Sequence, residues 1–332
     1  MRNRSLERGL QGMTVLLALG MLAACGSRES PQATQRKSAS SASASTKQPD
    51  ATAEQVAAEA RGKLKCPAKT TSAPRAANAP VDDIVGVRPG MTYDEATKVV
   101  MCSHKLLVVS EDLRGRFHLN TYGQKFRQGF GAGFAEPRVN VQKTAREWAE
   151  ELQYGDRGRA RQQTAPGAAR WYVGTLGAPG EERVVHVSRE EAYEEGRHPT
   201  IDSIVSALIA KYGPVTGRTP LQNSGEVNLR WANDPFGRRI TETSPLFGGC
   251  HANAHFGAAL SFSPDCGIVV GARILPTREN PALANLLQVV VVDQAGAYDA
   301  LQKTEQWFAQ EDAQRRAREV EAAGKNAGAP TL

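Results

Sequence analysis

Long apolar runs are almost absent from this chain. One stretch, Met13–Ala24, stands out, and it is too short to cross a bilayer. Nothing after it approaches the length of a spanning helix, so no transmembrane segment is expected. Aromatic residues are sparse, at 6% of 332 residues, and there are only 5 cysteines. The signatures of common enzymes are missing as well. There is no Gly-x-Ser-x-Gly elbow, no Ser-x-x-Lys pair and no Gly-x-x-x-x-Gly-Lys loop, so the familiar serine-hydrolase and phosphate-cradling arrangements are excluded. Net charge is missing where it would matter. The formal charge is +6, yet residues 1–24 contribute +2 and residues 25–80 contribute +5, which leaves residues 81–332 near −1. A folded region so balanced has no overall footprint for nucleic acid, and no nucleic-acid partner is expected.

What is there begins with an address. Arg2, Arg4 and Arg8 precede the apolar run, as in the positive end and core of an export signal. The run closes on Leu22-Ala23-Ala24-Cys25, which resembles the lipobox of bacterial lipoproteins. The resemblance implies cleavage before Cys25 and acylation of that cysteine, and two or three acyl chains hold a protein stably on a membrane. Gly26 and Ser27 follow, without the Asp that retains members of this class in the inner membrane. The implied location is therefore the outer membrane, facing the periplasm. From Gly26 to about Lys65 the chain is rich in Ser, Ala, Gln and Thr. Such a composition buries too little apolar surface to offset backbone entropy, so a disordered tether is expected over 25–80, with a short helix allowed at Ala53–Leu64.

The folded region is expected over 81–310. Thr92 stands three residues before Glu95, a capping box, and Ala96, Val99 and Val100 follow on one helical face. A second helix is expected from Thr200 to Lys211, stopped by Tyr212-Gly213-Pro214. Trp171–Leu176 and Arg183–Val187 predict one hairpin, Glu226–Trp231 and Arg239–Thr243 another. Gly267–Leu275 and Leu286–Asp293 predict the strongest strands, the latter central because Val289–Val292 is apolar on both faces. Asn280-Pro281 between them reads as the start of a helix. A helix from Tyr298 is expected to become a charged, exposed end over 311–332 and fade into a tail. The fold class is α+β, an antiparallel sheet with packed helices. The two Thr-started helices suggest two related helix-and-strand units, 81–198 and 199–310. Gly86–Thr92 also resembles the Gly-Met-Thr helix start of small outer-membrane lipoproteins of the BamE type. That likeness covers about 20 residues and departs at Met101-Cys102-Ser103-His104, where the family has a Gly-x-Pro turn.

Four cysteines remain after Cys25. An even count in an exported protein predicts two disulfides, and Cys250–Cys266 with Cys66–Cys102 is the favoured pairing. The alternative is zinc on Cys250, His251, His255 and Cys266, since the two histidines have i, i+4 spacing. A loop around Gly248-Gly249 and an oxidising compartment argue for the disulfide, and neither metal nor cofactor is expected. Glu190-Glu191 and Glu194-Glu195 could share acid and base roles if burial separated their pKa values, but a solvated surface is the simpler reading. Cys102 near His104 is a thiol–imidazole pair only in sequence. His118, His186 and His198 stand alone. Trp171, Tyr172, Trp231 and Phe236 lie near predicted hairpins, where they could stack on sugars or anchor a partner, or simply fill the core. Gly129–Phe134 reads as a place of close backbone approach rather than a nucleotide loop. These features together describe an anchored envelope protein that binds or scaffolds an envelope protein or glycan. The competing reading is a tethered hydrolase acting on peptidoglycan or another envelope polymer.

Overall fold

Two threonines start two of the helices. The Thr92 hydroxyl accepts a hydrogen bond from the Glu95 N–H at 3.1 Å, and the Glu95 carboxylate accepts one from the Thr92 N–H at 2.8 Å. This reciprocal cap satisfies donors that the first helical turn leaves open. In the computed structural model, which describes residues 50–67, 79–111, 117–138, 164–221, 224–257, 260–326 and 328, it begins helix α2, Tyr93–Ser103. Thr200 does the same for α3, Ile201–Tyr212, by accepting from the Ser203 N–H. Gly213 ends α3 at φ 83°, with its N–H bonded to the Ile209 carbonyl. Helix α1 is Ala53–Arg61, and α4 is Gln294–Asn326.

Among the described residues, eight strands form one antiparallel sheet: β1 Leu107–Glu111, β2 Gly129–Phe134, β3 Ala169–Leu176, β4 Arg183–Ala192, β5 Gly217–Leu221, β6 Glu226–Ala232, β7 Ile268–Pro276 and β8 Ala284–Asp293. Their spatial order is β1-β2-β3-β4-β8-β7-β6-β5. Four strands follow α2 in the first half and four follow α3 in the second, and the halves meet where β4 pairs with β8. All described residues belong to one compact unit, Lys47–Leu332. Among the described residues, no helix is long and apolar enough to cross a membrane.

Strand alternation sends one set of side chains to each face. On one face Trp171, Val173, Val187, Val289 and Val291 join α2 and α3 in the main apolar cluster. On the other, Val290 and Val292 pack with Val185, Leu176 and Ala297 at the start of α4. Burial of all four residues Val289–Val292 explains the unbroken apolar run, at about 1.5–3 kcal/mol per side chain.

Several details differ from the sequence expectations. Arg239–Thr243 makes no strand, because β6 already has β5 on one side and β7 on the other. After the single bridge Asn233↔Arg239, the chain sends Ile240 into a small cluster with Cys250 and Cys266. Asn280-Pro281 starts no helix. Its strands are immediate antiparallel neighbours, and the Asn280 side chain closes a turn by accepting from the Ala282 N–H. Helix α4 begins at Gln294 rather than Tyr298 and continues to Asn326, supported by Arg315–Glu319 and Lys325–Glu321 pairs at i, i+4. Helix α1 lies inside the stretch read as tether. Its Ala57 is fully buried, Ala51 bridges to Arg138, and Cys66 is bonded to Cys102. Three strands escaped the sequence reading: β1, β2 and β5. The segment read as an export signal, Cys25 and the low-complexity stretch before Asp50 lie outside the described residues.

Candidate functional site

The face of the sheet opposite α2 and α3 carries a row of polar residues in strict register. Arg170, Glu190, Gln288, Arg273 and Asn228 stand directly opposite one another on β3, β4, β8, β7 and β6. Their side chains close into a chain. Arg170 Nε donates to Glu190 at 2.8 Å, and Gln288 donates to the other Glu190 oxygen. Arg273 donates to Gln288 at 3.1 Å and forks onto both oxygens of Glu226 at 2.7 Å each. Asn228 donates to Glu226 at 3.0 Å. Burial alone would raise the Glu190 carboxyl, but hydrogen bonds from Thr164, Gln288 and Arg170 override it and hold the pKa below the ordinary carboxylate value. Hydrogen bonds from Arg273 do the same for Glu226 against its burial. Both are fixed, ionised and matched by arginine.

One step along the strands the row changes character. Here Arg230 of β6 lies between two glycines, Gly217 on β5 and Gly271 on β7. The long connection from β6 to β7 folds back over this place. It is stapled by Cys250–Cys266. Gln294 fastens it further by accepting from the Ser263 N–H and donating to the His251 carbonyl. Gly271 is what allows the crossing, since a Cβ there would lie 2.6 Å from the Ala252 carbonyl oxygen. Between loop and sheet is a cavity of about 510 Å³ whose lining includes Thr219, Asn228, Arg230, Phe247, His251 and His255. The Arg230 guanidinium stacks 4.3 Å above the Phe247 ring. Burial pushes the Arg230 pKa down. Among the described residues, no carboxylate forms an ion pair with it.

The predicted site residues fall as follows. Cys66 is joined to Cys102 and Cys250 to Cys266, the favoured pairing. The zinc set therefore loses both thiolates to each other, and His251 and His255 remain as exposed members of the cavity wall. The Cys102–His104 pair dissolves for the same reason, with His104 stacked on Phe134 at 4.3 Å instead. Burial, followed by the charges of Lys105 and Arg61, pushes the His104 pKa down. Glu190 and Glu191 point to opposite faces of β4, and Glu191 pairs with Arg189 at 2.7 Å. Glu194 is exposed and pairs with Arg197, and its neighbour Glu195 is exposed too. Trp171, Tyr172 and Trp231 are core residues, whereas Phe236 is 83% exposed. His186 is buried beside Tyr172, His118 is exposed and His198 is half-buried. The Gly-rich stretch is β2. Gly129 has φ 146°, and a Cβ there would lie 2.2 Å from the Val173 carbonyl oxygen, which is the close approach expected.

Sequence reasoning missed Arg230, Phe247 and the Glu226–Arg273 fork. The alternation Glu226-Val-Asn228-Leu-Arg230 was a signal that one face of β6 is polar. Comparison of the chain with protein-family models, curated proteins and solved structures returns no match.

Proposed function

We propose that this protein is a lipoprotein of the bacterial cell envelope, anchored through Cys25 on the periplasmic side of the outer membrane, and that it works by binding rather than by catalysis. The observation that carries this reading is the cavity beside Arg230, a preformed polar recess between a stapled loop and the sheet. Sites of this shape, with a few convergent polar groups, suit ligands or protruding parts of partners. The lipobox-like Leu22–Cys25 and the low-complexity stretch after it support the anchor and the reach.

The hydrolase reading draws no support from the carboxylates. A general acid at neutral pH needs a raised pKa, whereas Glu190 is held low and each of its oxygens is already bonded. Its sequence neighbour Glu191 faces away across the sheet.

The test has two arms. Globomycin should leave an uncleaved precursor and Cys25→Ala a form that leaves the membrane fraction. Crosslinking in intact cells should then recover a defined envelope component with the wild-type chain and much less of it with the released form. Unchanged size and fractionation would end the anchor claim. Turnover of muropeptides by the purified chain, abolished by Glu190→Gln, would end the binding claim.

A further inference from the structure

The cavity described above has its ligand chemistry written into one row of residues. We propose that it receives the free carboxylate end of a peptide-like molecule, with Arg230 as the carboxylate anchor; this rests on the binding reading and adds a ligand class to it.

Arg230 is unlike the other arginines of its face. Arg170 has Glu190 and Arg273 has Glu226. Arg230 is half-buried with no carboxylate paired to it among the described residues. A desolvated guanidinium without a counter-charge is unfavourable in the empty protein and favourable once an anion arrives. The register makes room for this arrangement, because both cross-strand neighbours of Arg230 are glycine: Gly271 admits the Ala252 backbone of the loop, and Gly217 admits the guanidinium beside Phe247. The fit at Gly217 is close: a Cβ there would sit 3.3 Å from an Arg230 terminal nitrogen and 3.5 Å from the Phe247 ring. The guanidinium carbon lies over the Phe247 ring, 4.3 Å from its centre. The in-plane N–H groups are left as the means of recognition, and they match a planar carboxylate in a two-point bond.

The rest of the lining decides between anions. Arg230 and Arg218 against Glu242 leave one net positive charge in the lining, among amide, hydroxyl and imidazole groups, and this balances one negative charge. Glu242, also in the lining, opposes a second. This disfavours a phosphate dianion and suits a monocarboxylate. The volume of about 510 Å³ is far larger than a bare ion needs. Asn228, Asn253 and Thr219 offer both donors and acceptors, which is the pattern that meets backbone amides.

Titration calorimetry on the full chain uses three probes: N-acetyl-Ala-Ala, the same dipeptide as its carboxamide, and inorganic phosphate. The acid should bind, with the amide and phosphate each about 10-fold weaker or worse, as the loss of a charge-assisted bond requires. Arg230→Gln should weaken the acid by a similar factor. Arg230→Met should bind no better than Arg230→Gln while melting no lower than wild type, since it removes a half-buried charge that no carboxylate pairs among the described residues. Gly217→Val keeps every charge but crowds the guanidinium out of its place beside Phe247, and it should also abolish binding. Equal binding of acid and amide, phosphate binding as tight as the dipeptide, or wild-type affinity in Arg230→Gln would each overturn the assignment. So would absence of heat with the acid at millimolar concentration. Crosslinked partner recovered equally from Arg230→Gln cells would overturn the pocket as the partner's site and leave the scaffolding reading standing.

Discussion

Removal of Arg170 would leave Glu190 buried, ionised and dependent on Gln288 and Thr164 alone. Breaking one side of such a pair is strongly destabilising, so Arg170→Met should lower unfolding free energy by about 3 kcal/mol. Adding Glu190→Gln removes the stranded charge and should recover at least half of that loss, read as the urea midpoint of single and double variants. The same residue sets a pH response. Glu190 and Glu226 both have folded pKa values below their ordinary 4.5. An unfolded chain therefore takes up protons first as pH falls, and the stability these two carboxylates contribute is complete above about 4.5 and drains away as pH drops through the folded values. Melting temperature should be flat near neutrality and fall below pH 4.5, with Glu226→Gln shrinking that fall. Little of this was legible in the sequence. Glu190-Glu191 reads as surface because four of the six residues from Glu190 to Glu195 are acidic. Only the β-strand alternation reveals that Glu190 turns inward.

Helix starts are decided within four residues, and that locality made them readable. Thr92 with Glu95, and Thr200 before its apolar stripe, fall where the caps are found. Thr92 is the stronger test, because its cap is reciprocal, while Ser203 returns no carboxylate to Thr200. Thr92→Ala should cost about 1 kcal/mol and Thr200→Ala somewhat less, both measured by chemical denaturation. The strands β2 and β5 were illegible for the converse reason. β2 is Gly-Phe-Gly-Ala-Gly-Phe and β5 contains Pro220, compositions that local preference reads as loop. Their stability comes from neighbours: β2 pairs along both β1 and β3. The loop over Gly271 belongs to the same class, as its position depends on a contact between residues 252 and 271 that no local window contains. Gly271→Val should push that loop off the sheet and expose Cys250–Cys266 to reductant faster than in wild type.

At the level of the molecule, the sheet is continuous only through β4 and β8. Their register runs from His186↔Val292 to Ala192↔Leu286, and it places Val187 against Val291 inside the main core. The polar row crosses the same seam, since Glu190 belongs to one half and Gln288 to the other. A one-residue slip would break that bond and turn every valine of β8 to the wrong face. The seam is therefore specified twice, by packing and by hydrogen bonding. Near the opposite end of this first half, Lys211 and Tyr212 of α3 reach back to Asp83 at 2.9 and 2.8 Å, a further tie across the halves. The sequence showed a Thr-started helix in each half but not this union, which joins residues about 100 positions apart. It leads to a prediction about cleavage. Gly196 sits at an exposed turn with φ 78°, beyond the last residue of β4. A chain divided there into two co-expressed fragments should reassemble, because each supplies one edge of the β4–β8 seam. Either fragment alone would present an unpaired, largely apolar central strand and should be insoluble. Copurification of the pair, with a single cooperative melt, is the expected result. Two fragments that each fold and stay monomeric would mean that the seam joins finished domains, and the double specification of its register would then have no structural purpose.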